Sequence, residues 1–375
     1  MNRLPFDDEL NIGYLSRLFD NTSNCYKFFW FRAILEKLSP NKTSFTYDEL
    51  INEMIADAWY MVIAFNLRLG PNGVTDNLEE AVKRLEAVSH FIASEKKSTI
   101  LDFLQKSDDK KLLKCKWDLT LNVPYRLHSP FFDEIKVDWK KTPKDLTTEI
   151  NRQRRLLYYF GAYNNLSTTI IINEEWVDYL LKNREILLGW LELNLINYLQ
   201  RRNPSVPGIA DKIHVPEKRD IKRVGDYWRM IISLRPDIHD IYGDKSLENT
   251  SISIDHFVPW QYVSHDELWN LHPTTQSINS KKSTGLPVWD IYFSPLCKLE
   301  YLSYVLVQEK PVVRAEFNKV AKYHLNNPDI REKLYGEGLS ETTFAERLCN
   351  VIRPVYNDAK SNGFRDWKYE ESQCL

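Results

Sequence analysis

The sequence has few cysteines and glycines and no long hydrophobic run. Its 375 residues include 5 Cys and 12 Gly. The cysteines lie far apart without a Cys-x-x-Cys pair, which argues against a disulfide scaffold and favours a reducing compartment. The longest apolar stretch, residues 54–67, contains Asp57 and is too short to cross a bilayer. Since the first residues also lack the apolar core of a signal peptide, we predict a cytoplasmic protein with no membrane partner.

An excess of charge of one sign is also lacking, since 50 Lys and Arg stand against 52 Asp and Glu. The formal net charge of −2 excludes a uniformly basic surface, so any anionic partner must bind a local patch. The hydrophobic fraction of 43% and the charged fraction of 27% exclude disordered and fibrous classes. The length is sufficient for two or three folding units.

Residues 1–202 are predicted to form a mainly helical domain, because apolar residues recur there at three- and four-residue intervals. The predicted helices cover residues 23–38, 46–69, 77–105 and 174–202. Thr46 and Glu49 have the spacing of a capping box, which opens the second of these helices. The β-branched residues 168–172 predict one short strand.

The clearest linker is residues 203–208, where two prolines and a glycine exclude regular structure. Residues 212–235 follow with seven positive and three negative side chains, a local charge of +4. We interpret residues 203–239 as a basic linker and helix. Two interpretations stay open: a solvated helix face, or a surface that contacts the phosphate backbone. In the second, the candidate nucleic-acid contacts are Lys218, Arg219, Lys222 and Arg223.

Half of the eight histidines fall between residues 239 and 272, namely His239, His256, His265 and His272. Because histidine is scarce here and titrates near neutral pH, this segment is a candidate site. The β-branched run at 251–254 leads into Asp255-His256, and a polar loop separates it from Asn270 and the 274–283 segment. The pattern predicts a strand, a loop, a short strand and a short helix.

This segment resembles the HNH endonucleases, whose ββα-metal fold occurs in colicin nucleases, homing enzymes, restriction enzymes and RNA-guided CRISPR effectors. The matching residues are Asp255-His256, Asn270, Asn279, Lys282-Ser283 and Leu286-Pro287. Asparagine at the last family position, which is often histidine, is the variant of the CRISPR-type domains. The resemblance covers about residues 240–290 and implies a nuclease module over 240–297, followed by a helical extension over 298–375. We therefore predict an α+β, mostly α-helical fold.

The resemblance also implies a division of chemical roles. Phosphodiester hydrolysis needs a deprotonated water and relief of developing charge, and His256 suits the general-base role. Asp255 and Asn279 supply hard oxygen ligands for one Mg²⁺ or Mn²⁺. Asn270 is expected to hydrogen-bond backbone across the loop and so to aim the histidine. Lys282 follows Asn279 by three residues and would meet the phosphate from the same helix face.

Three further expectations concern the surroundings of this site. Adjacent residues of a regular strand point to opposite faces, so the strand must bend or end at Asp255-His256. We expect no structural zinc, because residues 241–243 occupy a position where many HNH proteins have cysteine. An aromatic core would replace that metal, formed by Trp228, Tyr242, Trp260, Trp269 and Trp289. His265 and His272 are interpreted as loop and packing residues, and Lys281 and Lys282 as further candidate nucleic-acid contacts.

These observations predict a metal-dependent endonuclease with DNA as a better candidate substrate than RNA. Residues 15–31 resemble the start of bacterial HNH proteins, some of them associated with phage defence or restriction. That resemblance implies that residues 1–202 serve a partner, nucleic acid or control of the nuclease, or else only support it. The alternative is a catalytically silent binding or scaffold subunit. The low net charge predicts weak cutting by the chain alone, with a local patch, self-assembly or a protein partner holding the substrate.

Overall fold

The computed structural model describes residues 4–20, 22–71, 73–132, 137–153, 155–215 and 221–370. The chain divides into two compact units, residues 1–204 with 212–215, and residues 205–211 with 216–375. Helices dominate both, and the sheets are small, which confirms the predicted α+β, mostly helical fold. Within the described ranges, no helix combines the length and the apolar character that crossing a membrane requires.

The N-terminal unit is a set of helices with a three-stranded antiparallel sheet. Its helices are α1 (Ile12–Ser16), α2 (Tyr26–Lys37), α3 (Tyr47–Phe65), α4 (Asn77–Ser89), α5 (Lys97–Lys106), α6 (Lys110–Thr120), α7 (Val123–Arg126), α8 (Pro143–Ile150), α9 (Glu174–Lys182) and α10 (Arg184–Arg202). Its strands are β1 (Ser44–Thr46), β2 (Tyr158–Phe160) and β3 (Thr169–Ile172). Strand β3, predicted from its β-branched residues, lies between the other two.

The helix ends of this unit show which helix boundaries the sequence patterns predict correctly and which they do not. The capping box at the start of α3 is confirmed, with Glu49 N donating to Thr46 Oγ1 and Thr46 N donating to Glu49 Oε2. The predicted single helix over 77–105 is wrong, because His90 has a φ of 57° and ends α4. The predicted helix over 174–202 is also two helices, which meet at Asn183.

The C-terminal unit contains a two-stranded antiparallel sheet among helices. Its helices are α11 (Lys222–Leu234), α12 (Trp260–Val263), α13 (Gln276–Lys282), α14 (Trp289–Glu309), α15 (Pro311–His324), α16 (Pro328–Tyr335) and α17 (Glu341–Ser361). Its strands are β4 (Ile252–His256), β5 (Leu271–Thr275), β6 (Leu286–Pro287) and β7 (Asp366–Trp367). Strands β4 and β5 are paired with each other, as are β6 and β7.

A single apolar core holds these elements together. It includes Trp228, Tyr242, Trp269 and Trp289, four members of the expected aromatic core, whereas Trp260 is only half-buried. The indole of Trp228 on α11 also donates to Leu271 O at 3.1 Å, which ties that helix to strand β5. The buried aromatic rings of this core help to fix the position of β4 and β5.

The last described strand returns to the region of the β4–β5 sheet. Strand β7 pairs in parallel with β6, so that Leu286 lies opposite Asp366 and Pro287 opposite Trp367. Tyr356 on α17 donates its hydroxyl to Pro287 O at 2.9 Å. A Cβ at Gly285 would lie 2.5 Å from Trp367 Cβ, so only glycine permits this close approach.

Candidate active site

Strands β4 and β5 and helix α13 form the frame of the site. The antiparallel register places Asp255 opposite His272 and His256 opposite Leu271. Helix α13 begins directly after β5, with Thr275 Oγ1 accepting from Ile278 N as the N-cap. The predicted order of strand, loop, strand and helix is therefore present. Strand β4 ends at His256, where the sequence required a bend or an end.

Asp255 is a buried carboxylate with a donor on each oxygen. Tyr242 Oη donates to Oδ2 at 2.7 Å, and Lys282 Nζ donates to Oδ1 at 3.1 Å. His272 Nε2 lies 3.6 Å from Oδ2, which is too far for a hydrogen bond. Burial lowers the pKa of His272 to about 4, so its ring is neutral at physiological pH. The negative charge of Asp255 is thus matched by the Lys282 ammonium.

Lys282 lies inside the protein. The residue is 2% exposed, and its Nζ donates to His256 O at 2.7 Å as well as to Asp255. Burial lowers the pKa of Lys282, and the charge of Asp255 opposes that shift. Helical spacing predicted this lysine on the face of α13 that carries Asn279, and in this structure its ammonium lies against Asp255 and not at the surface.

The side chain of His256 points to a different partner. Its Nε2 donates to Asp266 Oδ1 at 2.8 Å, and the two side chains are 6% and 19% exposed. His324 Nδ1 lies 2.7 Å from the backbone oxygen of Asp266 and fixes the loop from α15. A carboxylate in this position orients an imidazole and stabilises its protonated form. His256 and Asp266 therefore have the geometry of a base and its orienting group.

Asn270 joins the two ends of the loop that follows β4. Its Oδ1 accepts from Val258 N at 2.8 Å, and its Nδ2 donates to Val258 O at 2.9 Å. The residue is fully buried, and its own carbonyl accepts from Phe257 N at 3.0 Å. These bonds fix the backbone directly after His256.

Asn279 lies on helix α13 and contacts strand β4. Its Nδ2 donates to Ser253 Oγ at 2.8 Å and to Ile254 O at 3.2 Å. No side chain or backbone group among the described residues donates to its Oδ1. The amide is thereby oriented with its oxygen available as an acceptor or ligand.

A second buried carboxylate, Asp240, supports the first. Its Oδ1 accepts from Tyr242 N and Gly243 N at 2.7 and 2.8 Å, and its Oδ2 accepts from the Thr274 hydroxyl. Burial raises the pKa of Asp240. This turn positions the phenol of Tyr242, which reaches Asp255.

Sequence patterns missed two contacts of the candidate site residues: Asp266 pairs with His256, and Tyr242 donates to Asp255. Asp266 lies ten residues after His256 in a polar loop, and nothing local indicates that the loop folds back. Tyr242 was expected only in the core. The hydroxyl of a buried tyrosine needs a polar partner, and this need is the sequence signal that could have indicated its contact with Asp255.

Of the six predicted nucleic-acid contacts, three are exposed and Lys282 is buried. Lys222 and Arg223 are exposed at the start of α11, and Lys281 is exposed on α13. Lys218 and Arg219 lie outside the described residues. The Arg223 guanidinium lies 4.4 Å from the centre of the Tyr323 ring. Two other cations of α11 and its end are neutralised locally, in the pairs Arg229–Asp226 and Arg235–Asp237.

The donor set of the site fits a hard divalent cation. Asp255 and Asn279 offer carboxylate and amide oxygens, and a carboxylate oxygen that accepts one hydrogen bond retains a second lone pair. Within the described residues, no group of three or more His, Cys, Asp or Glu side chains could hold a metal. The other ligands would therefore be water and phosphate oxygens, as is usual for Mg²⁺.

The segment that carries this geometry matches a known protein family. Residues 240–288 match the model of a family described as HNH endonuclease. This segment is similar to the HNH endonucleases. We call residues 240–288 the HNH segment. The match indicates that this segment has nuclease activity on nucleic acid. No curated protein and no solved structure matches the chain.

Proposed function

We propose that the chain is a metal-dependent endonuclease that hydrolyses phosphodiester bonds of DNA. The observation that carries the proposal is the His256–Asp266 pair at the end of β4, next to Asp255, in a segment that matches HNH endonucleases. A base, an orienting carboxylate and hard oxygen ligands are the groups that such hydrolysis needs.

His256 is the proposed general base. Its imidazole takes a proton from the attacking water, whose oxygen bonds to phosphorus while the bond to the leaving oxygen breaks. Asp266 holds the ring and stabilises the imidazolium that forms. Asn270 keeps the backbone after His256 in place, so that the ring keeps its direction.

Asp255 and Asn279 are the proposed metal ligands. A bound Mg²⁺ or Mn²⁺ supplies charge stabilisation at the phosphate. Tyr242 and Lys282 orient the Asp255 carboxylate, and the Ser253 and Ile254 oxygens orient the amide of Asn279. From its buried position beside Asp255, Lys282 adds a positive charge to the site, and a direct phosphate contact would require its side chain to turn away from Asp255.

The remaining parts of the proposal concern substrate and setting. Lys222, Arg223 and Lys281 are exposed cations that suit phosphate contacts, with Lys218 and Arg219 as further candidates from the sequence. DNA is preferred over RNA on the resemblance to HNH enzymes. The resemblance of residues 15–31 supports a role in phage defence or restriction. The scattered cysteines support a cytoplasmic location, and the low net charge supports activation by self-assembly or a protein partner.

The test is cleavage of supercoiled plasmid and of single-stranded RNA by the purified chain with Mg²⁺ or Mn²⁺. We expect plasmid nicking that falls at least about 100-fold in His256→Ala. His239→Ala, at an exposed histidine of the same unit, is the matched control and should cut normally. Cutting that persists in His256→Ala contradicts the mechanism. Nucleic-acid binding without cutting by any variant would support the alternative, a catalytically silent scaffold subunit.

A further inference from the structure

The N-terminal unit contains a polar cavity that the proposed nuclease does not use. Its volume is about 490 Å³, within the range of small-molecule sites, which is about 300–1,000 Å³. The cavity lies between the start of α2 and helix α7. Eight of the residues that line it bear hydrogen-bonding or cationic side chains: Thr22, Ser23, Asn24, Tyr26, Lys27, Asn122, Arg126 and Ser129.

Two cations without a carboxylate partner face this cavity. Lys27 Nζ donates to Leu18 O at 3.2 Å and to Ser129 Oγ at 3.0 Å, both neutral groups. The Arg126 guanidinium lies 4.9 Å from the centre of the Trp139 ring. Neither cation forms an ion pair with a carboxylate in the part of the chain that the structure describes.

The electrostatics of this pair are unfavourable without an anion. Burial, and then the charge of Arg126, lower the pKa of Lys27 to about 8, and Asp20 opposes the shift only from beyond ion-pair distance. Burial also lowers the pKa of Arg126. Lys27 is half-buried and Arg126 is exposed, and a half-buried ammonium beside a second cation is stabilised by a counter-charge. An anion between them would neutralise both and receive hydrogen bonds from the neighbouring hydroxyl and amide groups.

We propose that this cavity binds a small molecule that carries a phosphate or diphosphate group, such as a nucleotide. Arginine and lysine together suit phosphate oxygens, and the amides of Asn24 and Asn122 suit the polar remainder of such a ligand. A nucleic-acid backbone needs cations along an extended surface. Here both cations meet in one depression, which favours the small molecule.

The experiment measures binding of inorganic pyrophosphate and of ADP to the full chain by calorimetry. We expect saturable binding that weakens at least tenfold in Lys27→Met and in Arg126→Met. Exposed residues outside the cavity provide matched controls, Lys182→Met and Arg201→Met, which should bind as the wild type does. Tighter binding of ADP than of pyrophosphate would identify a nucleotide site, and equal binding a site for the phosphate groups alone.

Thermal unfolding separates loss of the site from loss of the fold. Because Lys27 lacks a counter-charge, Lys27→Met should unfold at the wild-type temperature or above it when no ligand is present, and pyrophosphate should no longer raise that temperature. The proposal is overturned if neither probe binds saturably, or if the cavity variants bind both probes as the wild type does. It is also overturned if these variants weaken binding of duplex DNA while neither small probe binds.

Discussion

Asp266 Oδ1 lies 2.8 Å from His256 Nε2, and the loop that carries Asp266 is fixed by His324 of α15. Asp266 thus orients the histidine, and α15, a helix beyond the HNH segment, holds Asp266 in place. The geometry makes Asp266 a positioning residue for the proposed base, and it gives the first of four predictions.

Replacing Asp266 by Asn should lower the rate of phosphodiester cleavage about 10- to 100-fold, the usual effect of losing a group that orients a catalytic side chain. The amide keeps the size of the side chain but removes the charge that stabilises the imidazolium. The apparent pKa of the base in the rate–pH profile should therefore fall. Glu248→Gln, at an exposed acid of the same unit, is the control. An unchanged rate–pH profile in Asp266→Asn would show that the pair has no catalytic role.

Lys282→Met should lower the free energy of unfolding by about 3 kcal/mol in the absence of metal, because Asp255 would become a buried charge without a counter-ion. Mn²⁺ should then stabilise this variant more than the wild type, since the cation no longer shares Asp255 with an ammonium. Thermal unfolding with and without Mn²⁺, and Mn²⁺ titration followed by electron paramagnetic resonance, measure these effects. Lys281→Met is the exposed control. Equal Mn²⁺ stabilisation of both proteins would argue against Asp255 as a ligand.

The double variant Lys222→Ala, Arg223→Ala should weaken DNA binding and flatten its dependence on salt. If each cation neutralises one phosphate, the slope of log affinity against log salt should fall by about 2. The double variant Arg229→Ala, Arg235→Ala is a suitable control, because carboxylates already neutralise those two cations. Salt titrations of DNA binding followed by fluorescence anisotropy provide the measurement. Equal slopes for the first double variant and the wild type would place the contact surface elsewhere.

Stability of the N-terminal unit should decrease in mild acid because of His128. Its ring is fully buried, and Nε2 accepts from Tyr158 N at 3.4 Å. Burial lowers its pKa to about 3. The unfolded chain therefore binds a proton at a pH where the folded chain does not, so stability is lost as the pH falls from about 6.5 toward 3. At pH 4.5 the loss should be about 2–3 kcal/mol.

Denaturant unfolding of wild type and His128→Gln between pH 7.5 and 4.5 tests this prediction. Glutamine retains an acceptor for Tyr158 N and cannot take up the proton, so the stability difference between the two proteins should shrink as the pH falls. The control for loss of a histidine as such is His90→Asn. His90 is exposed and has a left-handed backbone conformation, which asparagine tolerates. Stability curves that stay parallel for wild type and His128→Gln would refute the assignment.

The sequence predicted those parts of the molecule that local patterns determine. The β4–β5–α13 order follows from alternation, helix spacing and the family residues, and the α3 capping box follows from Thr46 and Glu49. The breaks at His90 and Asn183 were missed because apolar spacing continues through them, while the backbone changes direction at single residues. Residue spacing along the chain indicates which face of a helix or strand a residue occupies. It does not indicate how tertiary packing covers that face.

The candidate site shows the same difference between features that local patterns determine and features that tertiary contacts determine. Asp255, His256, Asn270 and Asn279 were chosen from residue type and spacing, and their roles stay predictions. Asp266 was missed because the path of a loop depends on contacts with α15 that lie far along the chain. The phosphate contact predicted for Lys282 also stays a prediction, and the burial of its ammonium shows that the side chain would have to turn away from Asp255 to make it.

The parallel pairing of β6 with β7 limits how the nuclease can be moved into another protein. The matched segment ends at residue 288, but the backbone partners of Leu286 and Val288 are Arg365 and Trp367, almost 80 residues later. A fragment cut at the family boundary would leave these amides without acceptors and would expose the core around Trp289. A transplantable nuclease would therefore have to include the chain through at least Trp367, and an insertion between β6 and β7 is tolerable only where it leaves that pairing intact.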